Sequence, residues 1–320
     1  MRNLRKAEVR GKRVLVRVDF NVSLIGRGER RIEKTLPTLR YLLGKGAKLV
    51  LATHMEKNDG IRPSTKKLSE FLRKTYFRRE KNLEILENLR WNPGEENCSL
   101  GFAKRLARGA DLYVNEAFAA SHRRHASIVL LPRLLPSYCG FLFENEIKNL
   151  SKVFRPPHPF TFILGGGKVE TKLPILKSLL PRADRVLVGG KLLDLFALGK
   201  KPPPSKKIIL PKEIIVLRKK VVDVGPGSFE EWARVIKESK LVVWNGPLGY
   251  IEKGFNGGTK KLISILKKTR AEVIIGGADT LDFLPQTLPK NIFVSTGGGA
   301  MLEYLAKGTL PGMRALEIRN

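Results

Sequence analysis

The chain has 320 residues, of which 42% are hydrophobic and 28% charged, with 60 Lys and Arg against 30 Asp and Glu for a formal net charge of +30. This is the balance of a soluble globular protein long enough for two domain-sized cores, and it excludes a disordered chain. No apolar run reaches the roughly 18 residues of a membrane span, and Cys98 and Cys139, in no metal-ligand spacing, exclude a disulfide scaffold.

The first thirteen residues are basic but lack the serines and amphipathic length of a transit peptide, so a cytoplasmic protein is expected. Excess positive charge favours polyanions: phosphorylated metabolites, nucleotides and nucleic acid all fit. A solvated lysine-rich surface accounts for most of it without any partner.

Short runs rich in Val, Ile and Leu then alternate with helical patterns, the rhythm of βαβ units and parallel sheets. Strands are predicted at 13–18, 48–52, 83–86 and 111–114 in the first half, and at 160–164, 185–188, 241–244, 272–275 and 292–294 in the second. Between the halves, Arg155-Pro-Pro-His-Pro159 cannot continue a helix and marks a domain boundary, giving domains 1–154 and 160–306. Pro202-Pro203-Pro204, inside a lysine-rich stretch, predicts an exposed loop, and 310–320 is expected to be a tail after a helix at 300–305.

Ligands of open α/β sheets bind beyond the carboxyl ends of the strands. In the first half those ends carry Arg17, Asp19 and Asn21, then His54, then Glu87, Asn88 and Arg90, then Asn115 and Glu116, with Arg31 and His122-Arg-Arg-His125 on nearby loops. Converging guanidinium forks and imidazoles suit a small, highly charged anion. Taken singly, Asp19 and Asn21 read as turn caps, His54 and His158 as structural histidines, and one of Arg123 and Arg124 as solvated.

In the second half the strands end in glycine: Gly165-Gly-Gly-Lys168, Gly189-Gly190, Asn245-Gly-Pro-Leu-Gly249, Gly276-Gly-Ala-Asp279 and Gly297-Gly-Gly299. One such turn is ordinary; five in series suggest backbone N–H groups approaching phosphates at helix termini, hence a nucleotide domain. Asp279 suits either the N-cap of the next helix or a magnesium ion. The Walker G-x-x-x-x-G-K-[ST] spacing, the protein-kinase set and the dinucleotide fingerprint are all absent.

GKRVLVRVDFNV, LENLR, DLYVNEAF, HRRHAS, GGGKVETK, WNGPLGYIE, GGADT and STGGGAMLEYLAKGTLPG, in this order from about residue 10 to 316, resemble the motifs of phosphoglycerate kinases over nearly the whole chain. The resemblance implies an α/β fold of two doubly wound, Rossmann-like parallel-sheet domains joined by a hinge, with the tail 307–320 returning to the first. It implies a monomer that transfers a phosphoryl group between 1,3-bisphosphoglycerate and ADP, giving 3-phosphoglycerate and Mg·ATP.

By the same resemblance Arg17, Asp19, Asn21, Arg31, His54, Lys57, Arg90 and Arg123 match positions that bind the phosphoglycerate. Gly166, Lys168, Lys172, Gly189, Asn245, Gly276, Gly277, Thr280, Gly297 and Gly298 match positions around the nucleotide, with Glu252 at the ribose and Asp279 at magnesium. Arg31, Lys168, Gly277 and Gly298 match the group facing the transferred phosphoryl.

The chain departs from the family in places. SHLGRP becomes Thr53-His-Met-Glu-Lys-Asn58, so Lys57 replaces an arginine; the aspartate of VNDAF is Glu116; and Ala278 replaces a glycine. Shortening is expected between Lys57 and Leu83 and between Leu192 and Ile208, the latter beside the adenine pocket. Two other readings stay open: a weakened relative binding nucleic acid, although no nucleic-acid motif is recognisable, and an enzyme of the same fold acting on another acyl phosphate.

Overall fold

The computed structural model describes residues 1–21, 29–56, 60–197, 199 and 201–318. The chain forms two compact units, Met1–Ile147 with Thr309–Asn320, and Lys148–Gly308.

The first unit runs β1 (Arg13–Arg17), α1 (Glu29–Gly44), β2 (Lys48–Ala52), α2 (Lys66–Thr75), β3 (Leu83–Ile85), α3 (Pro93–Glu96), α4 (Leu100–Ala107), β4 (Leu112–Asn115), α5 (Ala126–Val129), α6 (Leu131–Leu134), β5 (Ser137–Cys139) and the start of α7 (Phe141–Leu150). Its strands form a parallel sheet in the order β3-β2-β1-β4-β5. β1 is central, and Val14, Leu15 and Val16 are fully buried, each contributing about 1.5–3 kcal/mol of apolar burial. Strand order reverses at β1, which opens a crevice beyond the ends of β1 and β4.

Glu116, directly after β4, turns away from that crevice. Its carboxylate accepts the Thr38 hydroxyl and the N–H groups of Leu142 at 3.0 Å and Phe143 at 3.2 Å, in the first turn of α7. Burial pushes its pKa up to about 7 against the pull of those three donors. The residue is therefore a helix anchor, tying the end of β4 to α1 and to the start of α7. Gly140 makes room for it, since a Cβ there would lie 1.9 Å from Glu116 Oε2. Gly140→Ala is accordingly expected to cost about 1–3 kcal/mol in urea unfolding; a loss below about 0.5 kcal/mol would show that the carboxylate relocates freely.

The second unit continues with β6 (Phe160–Leu164), α8 (Val169–Leu179), β7 (Arg185–Val188), α9 (Gly190–Ala197), β8 (Ile208–Ile209), β9 (Ile214–Leu217), β10 (Lys220–Val224), α10 (Phe229–Glu238), β11 (Leu241–Asn245), α11 (Gly257–Leu266), β12 (Glu272–Gly276), α12 (Ala278–Leu281), β13 (Ile292–Val294) and α13 (Gly299–Lys307). Its parallel sheet has the order β13-β12-β11-β6-β7-β8, with the reversal between β6 and β11. Trp244 is fully buried in β11, its indole N–H donating to Gly246 O at 2.7 Å.

Both units are thus α/β with parallel, doubly wound sheets, as the sequence predicts. Three features differ from expectation. β9 and β10 make an antiparallel hairpin that no turn signature announces. β5 and β8 are strands of three and two residues, too short to show a pattern. The expected tail contains α14 (Pro311–Glu317), which starts with proline at its first position and buries Met313, Ala315 and Leu316 in the first unit.

Candidate active site

At the crevice of the first unit, Arg17 ends β1 with no exposed surface. Nε donates to Ser127 Oγ at 2.8 Å and Nη2 to His54 Nδ1 at 3.1 Å, and the Glu95 carboxylate lies 3.8 Å from Nη2. Glu95 is itself buried and accepts both the N–H of Ser127 (2.9 Å) and its hydroxyl (2.6 Å). The cation is thus paired within the core, and its bond to Nδ1 of His54 links it to the end of β2.

Arginine can only donate, so Nδ1 of His54 accepts and the ring carries its proton on Nε2. Burial, and then the charges of Arg17, Arg90 and Arg123, hold its pKa well below the ordinary imidazole value. His54 is therefore a neutral N–H donor aimed outward from β2.

Arg90 follows β3, almost wholly buried, and Arg123 lies half exposed on the loop before α5, whereas Arg124 faces solvent. Asn88 ties the loops together: Oδ1 accepts from Met55 N and Nδ2 donates to Met55 O, each at 3.0 Å, with a further bond to Pro63 O at 2.9 Å. One carboxylate joins the cations. Glu56 pairs with Arg90 Nη1 and, at 3.0 Å, with Arg123 Nη1, and lies 4.0 Å from His54 Nε2.

Asn21 reaches the same place by accepting the Glu56 N–H at 3.0 Å. Asp19 Oδ2 and the Asn21 carbonyl each lie 3.4 Å from Nη1 of Arg31, in the first turn of α1. Asp19, Asn21, Arg31, His54, Arg90 and Arg123 thus form one continuous cradle, backed by Arg17. Lys57 lies outside the described residues. Sequence reading missed Glu56, Glu95 and Ser127; the signal for them was the need of so many clustered cations for internal acids.

In the second unit the glycine turns converge, but mostly for packing. The N–H groups of Gly165, Gly166, Gly189, Gly190 and Gly246 donate to the carbonyls of Asn245, Pro247, Leu164, Leu248 and Gly276 at 2.7–3.3 Å. Cβ atoms at Gly165 and Gly246 would fall 2.2 Å from Pro247 O and 2.5 Å from Gly165 O, so only glycine lets these loops touch. Hence Gly166 and Gly189 shape the floor instead of offering N–H groups to a ligand. Gly277 and Gly298 differ: with φ of 102° and 47° they are the N-caps of α12 and α13.

Lys168 is exposed at the N-cap of α8, and Lys172, one turn later, is buried and donates to Asn245 Oδ1. Burial brings the Lys172 pKa down to about 8, opposed by the charge of Asp279. Asp279 is exposed in the first turn of α12, where Thr280 buries a hydroxyl that has no partner among the described residues. Gly276 ends β12 beneath Met301, Gly297 donates to Ser295 Oγ at 3.0 Å, and Glu252 is exposed in the turn after β11. An open cleft of about 600 Å³ runs between α8 and α9, lined by Val169, Glu170, Leu173, Pro174, Lys177 and Leu195.

No group of three or more His, Cys, Asp or Glu able to hold a metal occurs among the described residues. A single carboxylate such as Asp279 fits magnesium only where phosphate oxygens and water complete its six ligands.

The family model described as phosphoglycerate kinase matches residues 4–202 and 200–308. Curated phosphoglycerate kinases of Coprothermobacter proteolyticus and of Thermus thermophilus are 34% and 35% identical over 391 and 389 residues, covering 100% and 99% of this chain and all of each relative. Alignments longer than the 320 residues of the chain mean that these relatives carry segments it lacks. Among solved structures, the phosphoglycerate kinase of Pyrococcus horikoshii OT3 superposes with a TM-score of 0.87 at 27% identity over 99% of this chain and 98% of that one. That of Coxiella burnetii gives 0.80 at 27% identity, with 98% of each chain covered.

Proposed function

The chain belongs to the phosphoglycerate kinase family, and on that premise we propose that its first unit binds 3-phosphoglycerate or 1,3-bisphosphoglycerate, its second ADP or ATP, and that it moves a phosphoryl group reversibly between them. The observation that carries this division is the cradle of Arg31, His54, Arg90 and Arg123, a site for a small polyanion, set in a different sheet from the glycine loops, Lys168 and Lys172.

The acceptor in the direction of ATP consumption is a carboxylate, ordinarily titrating near ~3.5 and so already ionised; no general base is needed. Catalysis reduces to alignment and neutralisation of charge. Arg90 and Arg123 fix the anionic ends of the phosphoglycerate, and neutral His54 donates from Nε2 without adding charge. Arg31, oriented by Asp19 and Asn21, faces the transferred group. Lys172 and Asn245 place the nucleotide phosphates, with Lys168, Gly277, Gly298 and Thr280 at their outer end and Glu252 at the ribose. Asp279 would hold magnesium, which would supply charge neutralisation at the nucleotide phosphates when bound. Bringing the two ligands together is assigned to hinge closure at 155–159. A monomer in the cytoplasm completes this reading; no described helix is long and apolar enough to cross a membrane. No observation favours the nucleic-acid-binding alternative.

The shortening expected between Leu192 and Ile208 bears on base selectivity. Phosphate recognition does not depend on it, whereas losing apolar wall worth about 1–3 kcal/mol would erase most discrimination between bases. ATP formation from 1,3-bisphosphoglycerate is therefore expected with ADP and GDP at similar kcat/KM. A strong preference for ADP would show that other residues cover the base; no phosphoryl transfer to either would overturn the proposed function.

A further inference from the structure

We propose that Glu56 is a built-in occupant of the anion subsite of the first unit, its carboxylate standing between Arg90, Arg123 and His54 where an anionic group of the substrate binds, so that the phosphoglycerate enters by displacing it. This rests on the reading of that cradle as the phosphoglycerate site.

The geometry carries the inference. Each oxygen of Glu56 serves a different guanidinium, Oε2 with Arg90 and Oε1 with Arg123, and Oε1 also lies 4.0 Å from Nε2 of His54, the ring nitrogen that carries the proton. Two arginine forks and a neutral N–H donor make a receptor for one carboxylate or phosphate. Arg90 has a side chain only 5% exposed, and its other acid, Glu96, lies 3.4 Å from Nε, which leaves the fork at Nη1 to Glu56. A buried guanidinium needs a counter-anion whether or not substrate is present.

Glu56 meets that need yet is free to leave, because its own side chain is 46% exposed. Its carboxyl is ionised at neutral pH: partial burial works to raise the pKa, but the hydrogen bond from Arg123 and the charges of Arg90 and Arg123 prevail and hold it below the usual value. The Glu56 N–H is held by its bond to Asn21 Oδ1, so displacement of the carboxylate needs a swing of the side chain and not a shift of that amide. The position also falls in the segment that departs from SHLGRP, where the family's motif has a glycine and therefore no carboxylate to compete. An internal anion held this way weakens substrate binding and speeds release of the phosphoglycerate.

The test is steady-state kinetics of the full chain with 3-phosphoglycerate and Mg·ATP, for the native protein, Glu56→Gln and Glu56→Gly. Removing the competing charge is expected to lower KM for 3-phosphoglycerate about tenfold and to tighten competitive inhibition by sulfate to a similar extent, with the KM for Mg·ATP unmoved. A KM for 3-phosphoglycerate that is unchanged or raised in both variants overturns the proposal, because a carboxylate that merely props up Arg90 and Arg123 would weaken binding when lost. Calorimetric titration with sulfate separates this from the site reading. If the native chain fails to turn over 3-phosphoglycerate, the site reading falls, while tighter sulfate binding by Glu56→Gln still supports displacement and equal binding still rejects it.

Discussion

Arg31→Ala is expected to lower kcat at least about a hundredfold while leaving the fold intact. The side chain leaves the first turn of α1 half buried, and its partners Asp19 Oδ2 and the Asn21 carbonyl sit at 3.4 Å, the long end of a hydrogen bond. Such contacts orient a guanidinium without consuming it. Losing them costs about 1 kcal/mol or less of stability, whereas in the proposed role, facing charge that spreads over the transferred oxygens, loss of the cation is expected to raise the barrier by several times that. Single-turnover rates beside a thermal unfolding curve check both halves. A well-folded Arg31→Ala protein with near-normal kcat removes Arg31 from the catalytic set.

Lys168→Met is expected to cut kcat by a comparable factor while changing the affinity for 3-phosphoglycerate less than about threefold. Lys168 is exposed at the N-cap of α8 in the second unit, where the positive end of the helix reinforces its charge, and the cradle of Arg90 and Arg123 is built on another sheet. Its neighbour Lys172 differs in kind. Buried against Asn245, it is part of the floor, and its replacement would disturb packing as well as charge. Lys168→Met thus isolates the proposed phosphoryl contact. A mutant whose only defect is weaker 3-phosphoglycerate binding would contradict the assignment of ligands to units.

Much of the fold was legible because central parallel strands are buried on both faces and read as unbroken apolar runs; 48–52, 160–164 and 185–188 fall where the runs are. The hairpin of β9 and β10 was not, because its turn is Arg218-Lys219 at φ of 48° and 61°, positions where Asn-Gly usually announces a hairpin. Of the cradle's groups, His54 and Arg90 stood out just after strands, and Arg31 and Arg123 on loops nearby in sequence. Glu56 did not, since a lone acid in a loop carries no signal until the arginines it neutralises are seen together. Glycine loops were legible as loops, but not their division of labour. Gly165 and Gly246 let backbones touch, while Gly277 and Gly298 open helices, and only the distances separate the two.

The most direct test of the account is the rate of phosphoryl transfer from Mg·ATP to 3-phosphoglycerate, read by coupling 1,3-bisphosphoglycerate to its NADH-dependent reduction. Turnover is expected to saturate in both substrates and to fall at least about a hundredfold in both Arg31→Ala and Lys168→Met. A folded native chain that binds Mg·ATP and 3-phosphoglycerate but forms no 1,3-bisphosphoglycerate would contradict it.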